Sequence, residues 1–161
     1  MKQKVLILGG SGFIGTHLCR KLQDIGYECY SLSIKKKKNL KKDNHTYFLT
    51  VNLSDILSVK SSIGDIKFDY VINLSGYINH CSFSKGGIDV LNSHFLGLLN
   101  VLKTIDLENI KKIIQIGSSD EYGNLPSPQN ESMREEPFSP YAFGKLASTN
   151  LLQMLFNTEK L

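Results

Sequence analysis

Tyr141 and Lys145 stand four residues apart in Tyr141-Ala142-Phe143-Gly144-Lys145, within a stretch of helical periodicity, so phenol and ammonium share one helix face. An ammonium beside a phenol favours the phenolate, the form that takes a proton from a hydroxyl and returns it to a carbonyl. Ile113-Ile114-Gln115-Ile116-Gly117-Ser118 reads as a strand that ends in a hydroxyl. Near the start, Gly9, Gly12 and Gly15 punctuate Gly9-Gly10-Ser11-Gly12-Phe13-Ile14-Gly15, between a β-rich run and a helical one. Gly9 permits the tight turn, Gly12 lets backbone N–H groups approach a pyrophosphate, and Gly15 permits close packing of helix on sheet. The following helix start then faces that anion with its partial positive charge. A Tyr-x-x-x-Lys pattern alone arises often by chance; its place after a glycine turn and a strand-end serine gives it weight.

The elements that must position these groups are legible as an alternation. Lys4 to Leu8, Glu28 to Leu32, Tyr47 to Val51, Tyr70 to Leu74 and Ile113 to Ile116 read as strands. Ile14, Leu18, Leu22 and Ile25 recur at helical spacing up to Gly26, Asp55 to Ile63 reads as a weaker helix, and Val90 to Ile105 as a long one. Tyr122 to Pro140 breaks into a loop containing Pro, Ser and Glu, after which Tyr141 to Phe156 is helical again. Apolar strands alternating with helices predict a doubly wound α/β fold, a parallel sheet buried on both faces.

With 41% apolar and 21% charged residues, the 161-residue chain is expected to form one globular domain, residues 1–161. The net charge of +4 arises largely from Lys35 to Lys38 with Lys41 and Lys42, a local run that argues for a small anion rather than nucleic acid. Cys19, Cys29 and Cys81 lack paired C-x-x-C spacing and lie in or beside apolar stretches, as buried free thiols do, so a reducing cytoplasm and no metal site are expected. Val5 to Leu8 is too short for a signal sequence or membrane span.

A site selective for NAD places a carboxylate at the end of the second strand, roughly 20 residues past the glycines, to bind the ribose 2′-hydroxyl. Ser33, Ile34 and Lys35 stand there instead. A hydroxyl and an ammonium from Lys35 or Lys36 attract a 2′-phosphate, so NADP(H) is expected over NAD(H).

The G-x-x-G-x-x-G turn, the Ser118-Ser119-Asp120-Glu121-Tyr122-Gly123 stretch and Ser139-Pro140-Tyr141-x-x-x-Lys145 together resemble the extended short-chain dehydrogenase/reductase family, also called NAD-dependent epimerase/dehydratase, over nearly the whole chain. The resemblance implies a Rossmann-like fold and a catalytic set of Ser118, Tyr141 and Lys145, with Tyr141 as proton carrier and Lys145 also bonding the nicotinamide ribose. It implies cofactor contacts from Gly9, Ser11, Gly12, Phe13, Ile14 and Gly15, from Asn52 and Leu53, and from Leu74, Ser75 and Gly76. Asn52 stands where the family usually has Asp, and His94 where it usually has Asn; His94 reads as a buried structural histidine.

Glu131 and the segment from Gly117 to Gly123 are most similar to GDP-6-deoxy-D-mannose reductases, which implies reduction of a 4-keto sugar on a nucleotide, with GDP suspected. Dehydratases of the family carry T-D-E or T-S-E after the fifth strand, for which Asp120 is a shortened counterpart; epimerases share the Ser-Tyr-Lys set. Family members run to roughly twice this length, so a fragment that binds dinucleotide without turnover is the alternative of another class. Apolar side chains around Leu146, Leu151, Leu152, Leu155 and Phe156 are then expected to be exposed, and a homodimer through the two long helices is a further implication of the resemblance.

Overall fold

The computed structural model describes residues 2–35 and 45–159. Lys36 and the rest of the lysine run lie outside the described residues. Five strands, β1 (Lys4–Leu8), β2 (Glu28–Ser33), β3 (Thr46–Thr50), β4 (Tyr70–Asn73) and β5 (Lys112–Gln115), form one sheet in the order β3-β2-β1-β4-β5. Every pairing is parallel, with Leu8 beside Leu32 and Asn73 in register. The chain winds outward from β1 to β3, crosses back to β4, and so opens a crevice at the carboxyl ends of β1 and β4, where such sheets bind ligands. The doubly wound α/β expectation holds, with strand ends differing by one residue at most.

Period-two alternation divides the core between the two faces of β1. Leu6 and Leu8 pack with Leu32, Val51, Val59, Val71 and Val101 on one side, while Val5 and Ile7 pack with Cys19, Cys29 and Leu22 on the other. Burial pushes the Cys19 thiol up to about 12, with the neighbouring Cys29 adding to it, and pushes Cys29 to about 11. Both are inert protonated thiols, whereas Cys81 is only half-buried and departs from the expectation. Burial on both faces also fails at β5: Ile114, and Ile116 just past the strand, are each 43% exposed, because β5 is an edge strand among the described residues.

Helices α1 (Phe13–Asp24) and α2 (Ile56–Ile63) follow their sequence patterns, and the Asp55 carboxylate caps α2 by accepting from Leu57 N. The expected single helix from Val90 to Ile105 is instead α3 (Gly87–Leu91), a π turn (Asn92–Leu96) and α4 (Gly97–Leu102) in unbroken succession. The Gly97 N–H reaches back to Asn92 O, the wider hydrogen bond of a π bulge, a feature frequent at functional sites. Hydrophobic periodicity cannot register a one-residue widening.

The last helix, α5 (Pro140–Glu159), buries Tyr141, Gly144, Lys145 and Ser148, the spacing of one helix face. Ser139 caps it by accepting from Ala142 N at 3.1 Å. Of the apolar side chains expected to be exposed here, only Phe156 is; Leu146, Leu151, Leu152 and Leu155 are half-buried.

Candidate active site

At the crevice, Gly9 adopts φ +80°, a left-handed conformation that side chains resist, and its N–H donates to Leu32 O at 2.7 Å. Gly15 is enclosed by the turn it follows: a Cβ there would lie 2.5 Å from Gly10 Cα and 2.6 Å from Gly9 O. Gly12 at the start of α1 provides no side-chain cap, and no acidic residue occupies the first turn. The helix thus presents N–H groups free of any side-chain partner from its cap to an open crevice, which fits a dinucleotide pyrophosphate. Phe13 and Ile14 project outward, 82% and 59% exposed.

Of the other expected contact residues, Ser33, Leu74 and Ser75 adjoin this turn. Ser33 accepts from Ser11 N at 3.2 Å, tying the end of β2 to the glycine loop, and Lys35 is exposed two residues on. Gly9 packs against the Leu74 carbonyl and Ser75 Cα. Ser75 is itself fixed by Asn73, whose amide oxygen accepts from Ser75 N at 3.0 Å and from Ser75 Oγ at 2.6 Å. A Cβ at Gly76 would run into the His94 ring. Asn52 accepts from Ser54 N at 3.1 Å, and Leu53 O accepts from the buried Asn100 amide at 2.9 Å.

Across the crevice, Lys145 Nζ donates to Ile116 O at 2.9 Å, which draws the α5 face onto the end of β5 two residues before Ser118. Burial lowers the Lys145 ammonium below the usual lysine range, and the Glu121 carboxylate opposes that shift. Ser118 is half-buried and its Oγ accepts from Asp120 N at 3.2 Å, which leaves its own O–H free to donate elsewhere. Tyr141 is 8% exposed and lies edge-to-face with two imidazoles, His80 at 5.1 Å and His94 at 5.2 Å between ring centres.

Sequence reasoning passed over His80 and Glu121. His80 Nδ1 lies 3.6 Å from Asp120 Oδ2, so loop and turn meet beside Tyr141 although 40 residues separate them in sequence. No spacing signal marks a contact of that kind. His94 is buried, as expected, with Nε2 3.3 Å from Tyr77 O. Among the described residues, no group of three or more His, Cys, Asp or Glu side chains could hold a metal ion.

His94 carries a pH dependence. Burial, reinforced by the Lys145 charge, pulls it from 6.5 to about 4. The unfolded chain therefore binds a proton that the folded one refuses, so the stabilisation is complete above pH 6.5 and is lost as pH falls from there to 4. The shift corresponds to at most about 3 kcal/mol. Urea denaturation at pH 7.5 and pH 5 should show a drop in stability that His94→Asn largely removes; an equal drop in both proteins would exclude His94 as its source.

The glycine turn at the switch point of a doubly wound parallel sheet, facing a Ser, Tyr and Lys from β5 and α5, defines the class of Rossmann-like dinucleotide-binding proteins. Residues 5–160 match the family model described as NAD dependent epimerase/dehydratase family, and the chain belongs to that family. Among curated relatives, GDP-mannose 4,6 dehydratase 2 of Arabidopsis thaliana is 33% identical over 162 residues, covering 89% of this chain and 43% of the relative. The dTDP-D-glucose 4,6-dehydratase of Dictyostelium discoideum is 26% identical, covering 99% of this chain and 42% of the relative. Among solved structures, the UDP-Glc/GlcNAc 4-epimerase of Campylobacter jejuni superposes with TM-score 0.83 at 25% identity, covering 96% of this chain and 49% of that one. The chain thus spans about half the length of the relatives it matches.

Proposed function

We propose that residues 1–161 form the cofactor-binding domain of an NAD(P)-dependent enzyme that modifies a nucleotide-linked sugar, reducing a 4-keto-6-deoxy hexose. The observation that carries this reading is the buried Lys145, bonded to the end of β5 and one helical turn from Tyr141, opposite an uncapped glycine-turn helix. Bound nicotinamide supplies the hydride. Ser118 orients the substrate carbonyl through its free O–H, and Tyr141 delivers the proton to the resulting alkoxide while the Lys145 charge favours the phenolate left behind. His80 and His94 hold the Tyr141 ring edge-to-face on two sides and so fix the direction of its hydroxyl.

Ser33 beside the glycine loop and Lys35 beyond it support NADP(H) as the cofactor. Replacing Lys35 with Glu should weaken NADPH binding at least tenfold while leaving NADH within a few-fold, since one charge reversal near a phosphate costs over about 1.4 kcal/mol. Equal losses for both cofactors would show that Lys35 does not read the 2′-phosphate.

A second reading, 4,6-dehydration, is favoured by Asp120, paired with His80 beside Tyr141, and by the dehydratases among the relatives. One assay separates the two: the chain is supplied with a GDP-linked 4-keto-6-deoxyhexose plus NADPH, and in parallel with GDP-mannose plus catalytic NADP+. Loss of nicotinamide absorbance in the first supports the reductase. Loss of one water from the sugar in the second, read by mass spectrometry, overturns it in favour of the dehydratase. Cofactor binding with neither conversion leaves a dinucleotide-binding chain without turnover.

A further inference from the structure

The S-S-x-x-Y-G pattern leaves Glu121 unspecified, yet this carboxylate is 7% exposed and engages both elements that carry the candidate catalytic groups. Its Oε1 accepts from Ser118 N at 2.7 Å, closing a capping box in which Ser118 Oγ is the other partner. Its Oε2 accepts from Thr149 Oγ1 on α5 at 3.1 Å. Thr149 is one helical turn beyond Lys145, on the same face, and Lys145 holds Ile116 O from the other side of Gly117. The carboxylate lies over Gly117: a Cβ there would stand 2.7 Å from Oε1, so the glycine makes room for it.

We propose that Glu121 is the positioning residue of this site: it locks the Ser118 turn to α5, one helical turn from Lys145, and its buried charge acts on that ammonium without a direct ion pair. The functional consequence rests on the reading of Ser118, Tyr141 and Lys145 given above, but the structural statement does not. A buried ammonium with a single carbonyl partner is costly, and a buried carboxylate close by offsets that cost in a region of low dielectric. The direction fits, since Glu121 is the group that raises Lys145 against its burial. The other charged and titratable groups around the pair are Tyr141 on α5, His94 from the π turn, Asp120 and Tyr122 in the same turn, and Glu131 and Lys112 along the adjoining groove. His94 faces Lys145 in its neutral form above pH 6.5 and so adds no competing charge there.

Glu121→Gln preserves the shape and an acceptor for Ser118 N while removing the charge. The Lys145 side-chain titration, followed by NMR of labelled lysine and assigned with Lys145→Met, should move down in this variant. Gly117→Ala, which displaces the carboxylate without deleting it, should move it in the same direction by less. An unmoved Lys145 titration in Glu121→Gln would overturn the proposal. Thermal melts give the second arm. Glu121→Gln leaves an uncompensated buried ammonium, so adding Lys145→Met should restore melting temperature relative to the single variant, even if that variant folds poorly. A double variant no more stable than Glu121→Gln overturns the proposal. Neither readout requires turnover, so a failure of the proposed reaction is distinguishable from a failure of this inference.

Discussion

Replacing Tyr141 with Phe should lower hydride transfer by about 10²- to 10⁴-fold, the range attributed to one positioned acid or base. The substitution is clean because the ring, not the hydroxyl, makes the edge-to-face contacts with His80 and His94. Phenylalanine has nearly the same volume, so the core around the start of α5 should be retained and melting temperature should change little. Lys145 keeps its bond to Ile116 O, so cofactor affinity should stay within a few-fold. The signature is therefore a loss of rate without a loss of binding, read by nicotinamide absorbance in single-turnover mixing and by cofactor titration of the same preparation. A variant retaining a third or more of the wild-type rate would mean that another group carries the proton. His80, exposed and paired with Asp120 on the same ring, would then be examined first.

Replacing Gly15 with Ala should abolish cofactor binding through a single added methyl group. The added Cβ meets backbone atoms of Gly9 and Gly10 rather than a side chain that could rotate away. Relief requires α1 to lift from the turn or the turn to open, and overpacking of this kind costs about 1–3 kcal/mol. Either movement misplaces the N–H groups at the start of α1, so both NADPH and NADH should be lost together, unlike the selective effect at Lys35. Gly26 is the internal control: a Cβ there meets nothing within 4 Å, though its φ of +95° still strains a side chain. Gly26→Ala should therefore cost stability but spare binding. Denaturation and cofactor titration of the two variants check this, and tight cofactor binding by Gly15→Ala would show that the close approach is not needed.

Much of the scaffold was legible because it depends on local patterns. The apolar runs of β1, β2 and β4, the glycine turn and the i,i+4 pairing of Tyr141 with Lys145 each have a physical signature within a few residues. What escaped depends on contacts between distant segments. The π turn at Asn92–Leu96 leaves the hydrophobic repeat almost unchanged while turning His94 toward Gly76 and Tyr141. Nothing in the local sequence marks Glu121, and its burial follows from α5 lying across the end of β5 with Thr149 to meet it. His80 and Asp120 come from different loops, and the fold alone brings them together. Ile114 and Ile116 mislead in the opposite sense, since an apolar strand is read as buried whereas β5, among the described residues, has a neighbour on one side only.

On the proposed reading, the glycine turn and the end of β2 hold a nicotinamide dinucleotide bearing a 2′-phosphate. The most direct test is a fluorescence titration of the purified 161-residue chain with NADPH and with NADH at one fixed ionic strength. Saturable binding of both is expected, with NADPH at least tenfold tighter. Binding of neither cofactor by a chain that melts cooperatively, or a preference for NADH, would contradict it.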